Sequence, residues 1–175
     1  MEFQIAIPSK GRAGKVLTAK IIKSGIIYVP ESEVSEYNCF YKNVVGIPDS
    51  VKGITATRNW ILKNNNCNIF FIDDDLLYCG YIERTNEKHK VKRITDEQLI
   101  ISEIEKLFEI CLQMSSKICG FFTVGNNLTN YSYNPYLFNG VCLGSCMGII
   151  NDGEYYFNEE FKVKEDYELS LICLS

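Results

Sequence analysis

Short, mainly apolar runs alternate with segments of helical periodicity through the first half of the chain. The short runs have the length of strands, and the segments between them repeat apolar residues every three or four positions. The predicted strands cover residues 3–7, 26–29, 44–47 and 69–72, and the predicted helices cover 13–23, 32–37 and 54–64. This β-α-β-α-β-α-β order is typical of a doubly wound α/β fold with a mostly parallel sheet. The expected buried face of the third helix comprises Ile54, Ala56, Trp60 and Ile61.

The second half of the chain has a less regular pattern. The polar stretch 81–93 predicts a loop, and a capping-box sequence at 95–98 predicts the start of a long helix. Its inward positions would be Ile100, Ile104, Leu107, Phe108 and Cys111. The remaining predicted elements are a strand at 120–124, an irregular loop at 126–139, a small antiparallel hairpin from 141–150 and 154–157, and an apolar segment at 169–174. We expect one domain over residues 1–175, in a minimal or C-terminally truncated form.

Composition narrows the possible environments and partners. The chain has 175 residues, 46% of them hydrophobic, and a net charge of −4, so a grip on nucleic acid would need a local basic patch. Eight cysteines without a CxxC spacing, and no signal-peptide pattern, indicate free thiols in a reducing, cytoplasmic compartment, which would be the host cytoplasm for a viral protein. A single histidine argues against a zinc site, and no apolar run has the length of a membrane span.

Three adjacent carboxylates follow the fourth predicted strand. Asp73, Asp74 and Asp75 come directly after the apolar run 69–72, and ligands bind at the carboxyl ends of strands in an open parallel sheet. Adjacent carboxylates repel one another, and a divalent cation would relieve that repulsion. Asp73 and Asp75 project to the same side of an extended segment, so the sequence predicts a Mg²⁺ or Mn²⁺ site. The alternative is a solvated acidic turn.

Three further segments place polar groups at the ends of predicted elements. The loop 8–12 after the first strand supplies donors for a phosphate or nucleotide, and the helix start at 53–59 carries Arg58 and Asn59 where the helix dipole favours an anion. Near the end of the chain, Glu165 and Asp166 could act as a general base for an acceptor hydroxyl. Each segment also has a purely structural interpretation: a polar connection, an exposed first turn, or a helix cap.

Together these segments carry a family resemblance. In the order IAIPSKGR, GITATRNWIL, IFFIDDDL and KEDYELSL, the chain resembles glycosyltransferases of the GT-A type, family-2-like, and also the compact glycosyltransferases associated with DNA-base modification in phages. The resemblance implies a three-layer, Rossmann-like GT-A fold and a nucleotide-sugar donor. It also implies Mn²⁺ or Mg²⁺ at a DxD motif and transfer of the sugar to an acceptor hydroxyl with inversion.

The resemblance also assigns roles to individual residues. Asp73 would face the ribose, Asp75 with Asp73 would hold the metal, and Asp166 would be the base, with Glu165 as the second choice. The remaining donor contacts that it implies are Pro8, Ser9, Arg12, Glu31, Arg58, Asn59 and Asp74.

The acceptor is left open, as a glycan, a protein or a modified nucleic acid. The locally basic segment 84–93 follows the acidic triplet, and it either steers a phosphate-bearing acceptor or is a solvated loop. Two other functions also stay open. One is a nucleotidyltransferase of similar fold, although such enzymes usually have a longer Gly-rich first loop. The other is a non-catalytic relic that binds nucleotide.

Overall fold

A six-stranded sheet forms the centre of the computed structural model, which describes residues 2–84, 89–123, 136–161 and 163–174. The strands are β1 (Phe3–Pro8), β2 (Ile26–Pro30), β3 (Val44–Ile47), β4 (Asn68–Ile72), β5 (Cys79–Arg84), β6 (His89–Ile94), β7 (Ile118–Gly120) and β8 (Cys146–Ile149). The central sheet has the order β3-β2-β1-β4-β8-β7, and β5 and β6 form a separate two-stranded sheet. The strands from β3 to β4 are parallel, whereas β8 runs antiparallel to both β4 and β7. The expected α/β, Rossmann-like class with a mostly parallel sheet is confirmed.

Helices cover both faces of the sheet. They are α1 (Val34–Tyr37), α2 (Ile54–Lys63), α3 (Glu97–Gln113) and α4 (Glu165–Leu174). Successive strand residues point to opposite faces, so Phe70 packs with Phe108 of α3, while Phe71 belongs to a second core with Ile61 of α2 and Leu169 of α4. The protein therefore has three layers and a hydrophobic core on each side of the sheet. In the part of the chain that the structure describes, no helix has the length and apolarity to cross a membrane.

The strand order places a switch point at β1. The chain runs outward from β1 to β2 and β3, then returns to add β4 on the other side of β1. The connections that follow β1 and β4 therefore lead away in opposite directions and open a crevice at the carboxyl ends of these strands, which is where open α/β sheets bind ligands. Pro8 and Ile72 end these two strands, so the loop 9–12 and the acidic triplet both begin at this crevice and lie next to each other.

The helix expected at 13–23 is replaced by an irregular segment with one 3₁₀ turn at Thr18–Lys20. Gly14 has a left-handed φ of 70°, which interrupts a helix, and the amides of Leu17 and Thr18 donate to the carbonyl of Asp74. The backbone amides of Leu17 and Thr18 therefore hold the acidic loop in place.

Two predictions about antiparallel pairing were wrong. The polar stretch expected to be a loop contains β5 and β6, which pair from Cys79 with Ile94 to Arg84 with His89. The small antiparallel unit of the expected fold is thus present as β5 and β6, but the hairpin expected from 141–157 does not form, because residues 146–149 are inserted into the central sheet as β8. The strand expected at 120–124 lies earlier, at Ile118–Gly120, and most of the loop expected at 126–139 falls outside the described residues.

The long helix α3 agrees closely with its sequence pattern. Asp96 caps it by accepting a hydrogen bond from the Gln98 amide at 2.9 Å, which is one residue later than the capping box suggests. Of the predicted inward positions, Leu107 is partly buried, and the fully buried ones are Ile100, Ile104, Phe108 and Cys111.

Replacing Phe108 with alanine should lower the free energy of unfolding by about 3–5 kcal/mol. The ring is 0% exposed, and its centroid lies 5.4 Å from that of Phe3 and 6.1 Å from that of Phe70, so truncation leaves a cavity between α3 and the sheet. Urea denaturation measures the loss. Leu112→Ala on the same helix, where the side chain is 48% exposed, is the control and should change stability by less than about 0.5 kcal/mol. Equal losses in the two variants would contradict this packing.

Candidate active site

A cleft of about 500 Å³ opens at the carboxyl ends of β1, β2 and β3. Its apolar walls include Val29, Ile47 and Val51, and its polar lining includes Ser9 and Asp74. The N-terminus of α2 also borders the cleft, at Gly53 and Thr57. The cleft therefore combines apolar walls with polar and charged groups, and a concave site at the carboxyl ends of the strands is the usual place for a small-molecule site in an α/β protein.

A chain of hydrogen bonds joins the first loop to the acidic triplet. The backbone amide of Arg12 donates to the Tyr37 hydroxyl at 2.8 Å, and that hydroxyl lies 2.9 Å from Ser9 Oγ. Ser9 Oγ in turn donates to Asp74 Oδ2 at 2.5 Å. Burial raises the pKa of Tyr37, so its hydroxyl stays protonated and can act as both acceptor and donor. This network fixes the shape of the cleft mouth.

The acidic loop is held by its backbone, so its side chains are left to interact with cations. Thr18 Oγ1 donates to the carbonyl of Asp73 and accepts from the Leu76 amide at 3.0 Å. Arg12 Nη1 lies 2.7 Å from Asp74 Oδ1 and 3.5 Å from Asp75 Oδ2. The Asp75 side chain is 62% exposed, so it is the most open carboxylate of the triplet.

Arg58 of α2 is a buried cation with three partners. Its Nη1 donates to Glu165 Oε1 at 2.8 Å, and its Nη2 donates to the carbonyl of Gly144 at 2.8 Å and to Asp73 Oδ1 at 3.3 Å. The guanidinium carbon also packs against two aromatic rings, 5.9 Å from the centroid of Phe71 and 5.5 Å from that of Phe157.

Asn59 is also buried and binds the backbone on the C-terminal side of β8. Its amide nitrogen donates to the Phe157 carbonyl at 2.8 Å and to Glu159 Oε1 at 2.9 Å, and its amide oxygen accepts from the Phe157 amide at 2.8 Å. Neither Arg58 nor Asn59 belongs to the described lining of the cleft. Their predicted contact with a nucleotide therefore stays a prediction, while both side chains have well-defined structural partners.

The inward face of α2 differs from the expected one. The side chains turned to the core are Thr55, Arg58, Asn59, Ile61 and Leu62, whereas Ile54 is 38% exposed at the cleft. Of the expected positions, Ile61 is confirmed as fully buried. An apolar pattern could not reveal the rest of this face, because three of its members, Thr55, Arg58 and Asn59, are polar residues with partners inside the protein.

The two carboxylates at the start of α4 differ in environment. Glu165 is buried and pairs with Arg58, while Asp166 is only partly buried. Asp166 Oδ2 accepts from the Gly144 amide at 2.9 Å, and its Oδ1 accepts from the Tyr167 amide at 2.9 Å. The Gly144 peptide therefore lies between Arg58 and Asp166.

Burial raises the pKa of Asp73 above its ordinary value, and the adjacent Asp75 and Asp74 raise it further, while Arg58 opposes the shift. The carboxylates of the triplet outnumber the two arginines, and Arg58 is shared with Glu165. A cation of the Mg²⁺ or Mn²⁺ class fits such a group, since these ions often take one or two carboxylates with the remaining ligands from phosphates and water. Within the described ranges, no group of three or more His, Cys, Asp or Glu side chains could hold a metal by itself.

Of the other predicted donor contacts, Pro8 and Ser9 line the cleft, and Arg12 lies beside it through its pair with Asp74. Glu31 is exposed and is not part of the described lining, whereas Glu33 is, and it accepts from the Gly11 amide at 2.7 Å. Sequence reasoning missed Glu33, Tyr37 and Gly144. Their roles depend on distant partners, and nothing in the local pattern signals them.

A cleft at the switch point of a Rossmann-like sheet, bordered by a carboxylate loop, is the arrangement in which α/β proteins commonly bind small molecules. The model of the TET-associated glycosyltransferase family matches residues 3–175, so the chain belongs to this family and is a glycosyltransferase. No curated protein matches the chain.

Replacing Tyr37 with phenylalanine should lower the free energy of unfolding by about 1–3 kcal/mol. The change removes one hydroxyl, and it leaves the Arg12 amide without its acceptor and Ser9 Oγ without its neighbour at 2.9 Å. Urea denaturation gives the loss of stability. The matched control is Tyr81→Phe, whose hydroxyl makes an exposed bond to Glu103 and should matter by less than about 0.5 kcal/mol. If Tyr37→Phe were as stable as the control, the network would not hold the first loop.

Proposed function

We propose that the protein transfers a sugar from a nucleoside-diphosphate donor to an acceptor hydroxyl, with inversion and with Mn²⁺ or Mg²⁺ at the acidic loop. The observation that carries the proposal is the position of Asp74. This residue lines the cleft and binds both Ser9 and Arg12, so the carboxylate triplet stands at the mouth of the cleft. Membership of a glycosyltransferase family supports the same reaction class.

In this proposal the nucleoside occupies the cleft, as in the GT-A type. The apolar walls accommodate a base and ribose, and Pro8, Ser9 and Glu33 lie along them. Arg12 is about half exposed beside the cleft, where its free guanidinium donors can reach a phosphate. The diphosphate would therefore lie toward the acidic loop, between Arg12 and Asp75.

Asp75, together with Asp73, would hold the divalent ion. When bound, the ion neutralises negative charge on the departing diphosphate. The exposed Asp75 carboxylate is available for such a ligand, because its contact with Arg12 is long at 3.5 Å. Asp73 shares its Oδ1 with Arg58, which holds the carboxylate in a fixed orientation.

Asp166 is the better candidate for the general base. Glu165 is buried and its Oε1 is bound to Arg58, whereas Asp166 is partly buried at the start of α4. Two backbone amides orient its carboxylate, and a carboxylate so placed can accept the proton of an acceptor hydroxyl. A separate base that acts opposite the leaving group corresponds to inversion.

The family match favours this function over the alternatives that the sequence left open. A nucleotidyltransferase would share the sheet and the cleft, but the chain belongs to a glycosyltransferase family. A relic would bind donor without turnover, and this distinction requires an assay.

Two substitutions should separate donor binding from chemistry. Asp75→Ala should abolish the Mn²⁺-dependent thermal shift given by a nucleotide sugar, a shift worth about 2.7 kcal/mol at a donor concentration 100 times Kd. Asp166→Asn keeps one of the two oxygens that accept from the Gly144 and Tyr167 amides and lies away from the donor cleft, so it should retain the shift while kcat falls about 100- to 10,000-fold. The measurements are a panel of UDP-, GDP-, CMP- and dTDP-sugars with and without Mn²⁺, and a sugar-transfer assay.

The control for both variants is Glu109→Ala, an exposed position on α3 far along the chain from these loops. Donor binding in the wild type without sugar transfer would support the relic, and the absence of a shift with any donor would contradict the proposed cleft occupant.

The two-stranded sheet β5–β6 suggests the acceptor class. It follows the acidic loop directly, and Arg93 lies over the Tyr78 ring with 4.6 Å between the guanidinium carbon and the centroid. Lys90 and Lys92 are exposed on β6, and Lys92 Nζ lies 3.8 Å from Glu83 Oε1, which is a long ion pair. These cations favour a phosphate-bearing acceptor, and we include modified nucleic acid in the proposal on this basis.

The variant Lys90→Gln/Lys92→Gln should weaken binding to DNA and flatten its salt dependence. Removing one lysine–phosphate ion pair should reduce the slope of log K against log salt by about 0.9 on duplex DNA. The measurement is fluorescence anisotropy across a salt series. Lys23→Gln/Lys42→Gln removes the same charge from exposed positions elsewhere and serves as the control. Equal binding by the two variants would contradict a role of the β5–β6 sheet in binding the acceptor.

A further inference from the structure

Arg58 joins parts of the site that are distant in the sequence. Its side chain is 4% exposed, and its three partners come from the acidic loop, the segment before β8 and the start of α4. It is thus the shared partner of Asp73, on the donor side of the proposed site, and of Glu165, on the acceptor side.

Burying an arginine at this position costs free energy of folding. A buried charge loses its hydration, and a well-packed apolar side chain is often as stable as a buried ion pair. The aromatic rings of Phe71 and Phe157 already provide an apolar surround. The buried Nε of Arg58 has no hydrogen-bond partner among the described residues, which adds a further cost. Stability alone therefore does not account for a guanidinium here.

The Gly144 peptide extends the connection to the proposed base. Its carbonyl accepts from Arg58 Nη2 at 2.8 Å, and its amide donates to Asp166 Oδ2 at 2.9 Å. Moving the guanidinium would therefore shift the backbone of Gly144, whose amide orients Asp166, as well as Asp73 and Glu165. A planar fork with several fixed donors can hold these groups together, whereas a lysine ammonium cannot span them.

We propose that Arg58 is a positioning residue that holds the donor-side and acceptor-side carboxylates in register and contacts neither substrate. The inference rests on the proposed function, because it assigns Asp73 to the donor side and Asp166 to the acceptor. It replaces the nucleotide contact expected for Arg58 from the sequence.

Gly144 allows the guanidinium to be displaced without changing any charge. A Cβ on Gly144 would lie 2.5 Å from Arg58 Nη1 and 2.9 Å from its Cζ, so alanine requires the guanidinium to move. The φ of Gly144 is not among the left-handed values, so alanine adds no backbone strain there. Arg58→Lys disturbs the same contacts by removing the guanidinium itself, and it keeps the positive charge.

Both Gly144→Ala and Arg58→Lys should lower kcat about 100-fold, the effect expected when reacting groups are misplaced by about 1 Å. Binding of a nucleoside diphosphate in the presence of EDTA should change by less than about twofold, because the lining of the cleft includes neither residue. Isothermal titration calorimetry measures the binding, and a sugar-transfer assay gives kcat. A purely structural role would not separate these two quantities.

The matched control is Gly25→Ala, whose Cβ would crowd the end of the Ile7 side chain at 2.7 Å and should leave kcat unchanged. Arg58→Met/Glu165→Gln, which removes both charges of the buried pair, should reproduce the loss of kcat. Adding Gly144→Ala to this variant should cause little further loss, since the guanidinium it would displace is gone.

The inference is overturned if the variants keep kcat while the wild type turns over, or if the metal-free affinity for nucleotide falls in step with kcat. A wild type that binds nucleotide without transferring sugar would overturn the proposed function itself, and the role of Arg58 with it.

Discussion

Repulsion among three adjacent carboxylates is the constraint on which the site depends. Asp73, Asp74 and Asp75 are tolerated because two arginines from other elements reach them, Arg12 from the loop after β1 and Arg58 from α2. Those elements must therefore approach the end of β4 from two directions. The loop after β1 forms the cleft mouth, and α2 connects to α4, so the same contacts that offset the repulsion also shape the site.

The two arginines differ in role according to their exposure. Arg12 is about half exposed and keeps donors free for a ligand, whereas Arg58 is buried and has both terminal nitrogens engaged. Exposed pairs are screened and adjust to a ligand, while buried pairs keep a single geometry. Under the proposed function, the donor side of the site is thus adaptable, and the link between the donor and acceptor sides is rigid.

Local patterns predicted the parts of the fold that depend on local signals. The apolar runs that become β1 to β4, and the periodicity of α3, are visible because their buried residues are apolar. The inward face of α2 was predicted only in part: Ile61 is buried as expected, but Arg58 and Asn59 are buried through partners about 100 residues away. The strands β5 and β6 form a small exposed sheet with polar pairs such as Glu83 and Lys90, so no apolar alternation marks them. The apolar run that contains β8 was predicted as a strand, but its partners β4 and β7 are far away in the sequence and could not be predicted from the local pattern.

The shortage of protein ligands at the acidic loop has a thermodynamic consequence for the proposed reaction. Only Asp73 and Asp75 are assigned to the ion, and the described residues include no cluster of three that could hold it unaided. Under the proposal, phosphate oxygens of the donor complete the coordination, so each ligand strengthens the binding of the other by the same factor. Charge adds to this coupling, because an empty site leaves the triplet only partly offset by Arg12 and Arg58. The ion therefore offsets the repulsion between the carboxylates and the negatively charged diphosphate, and this effect favours binding of donor and ion together over binding of either one separately.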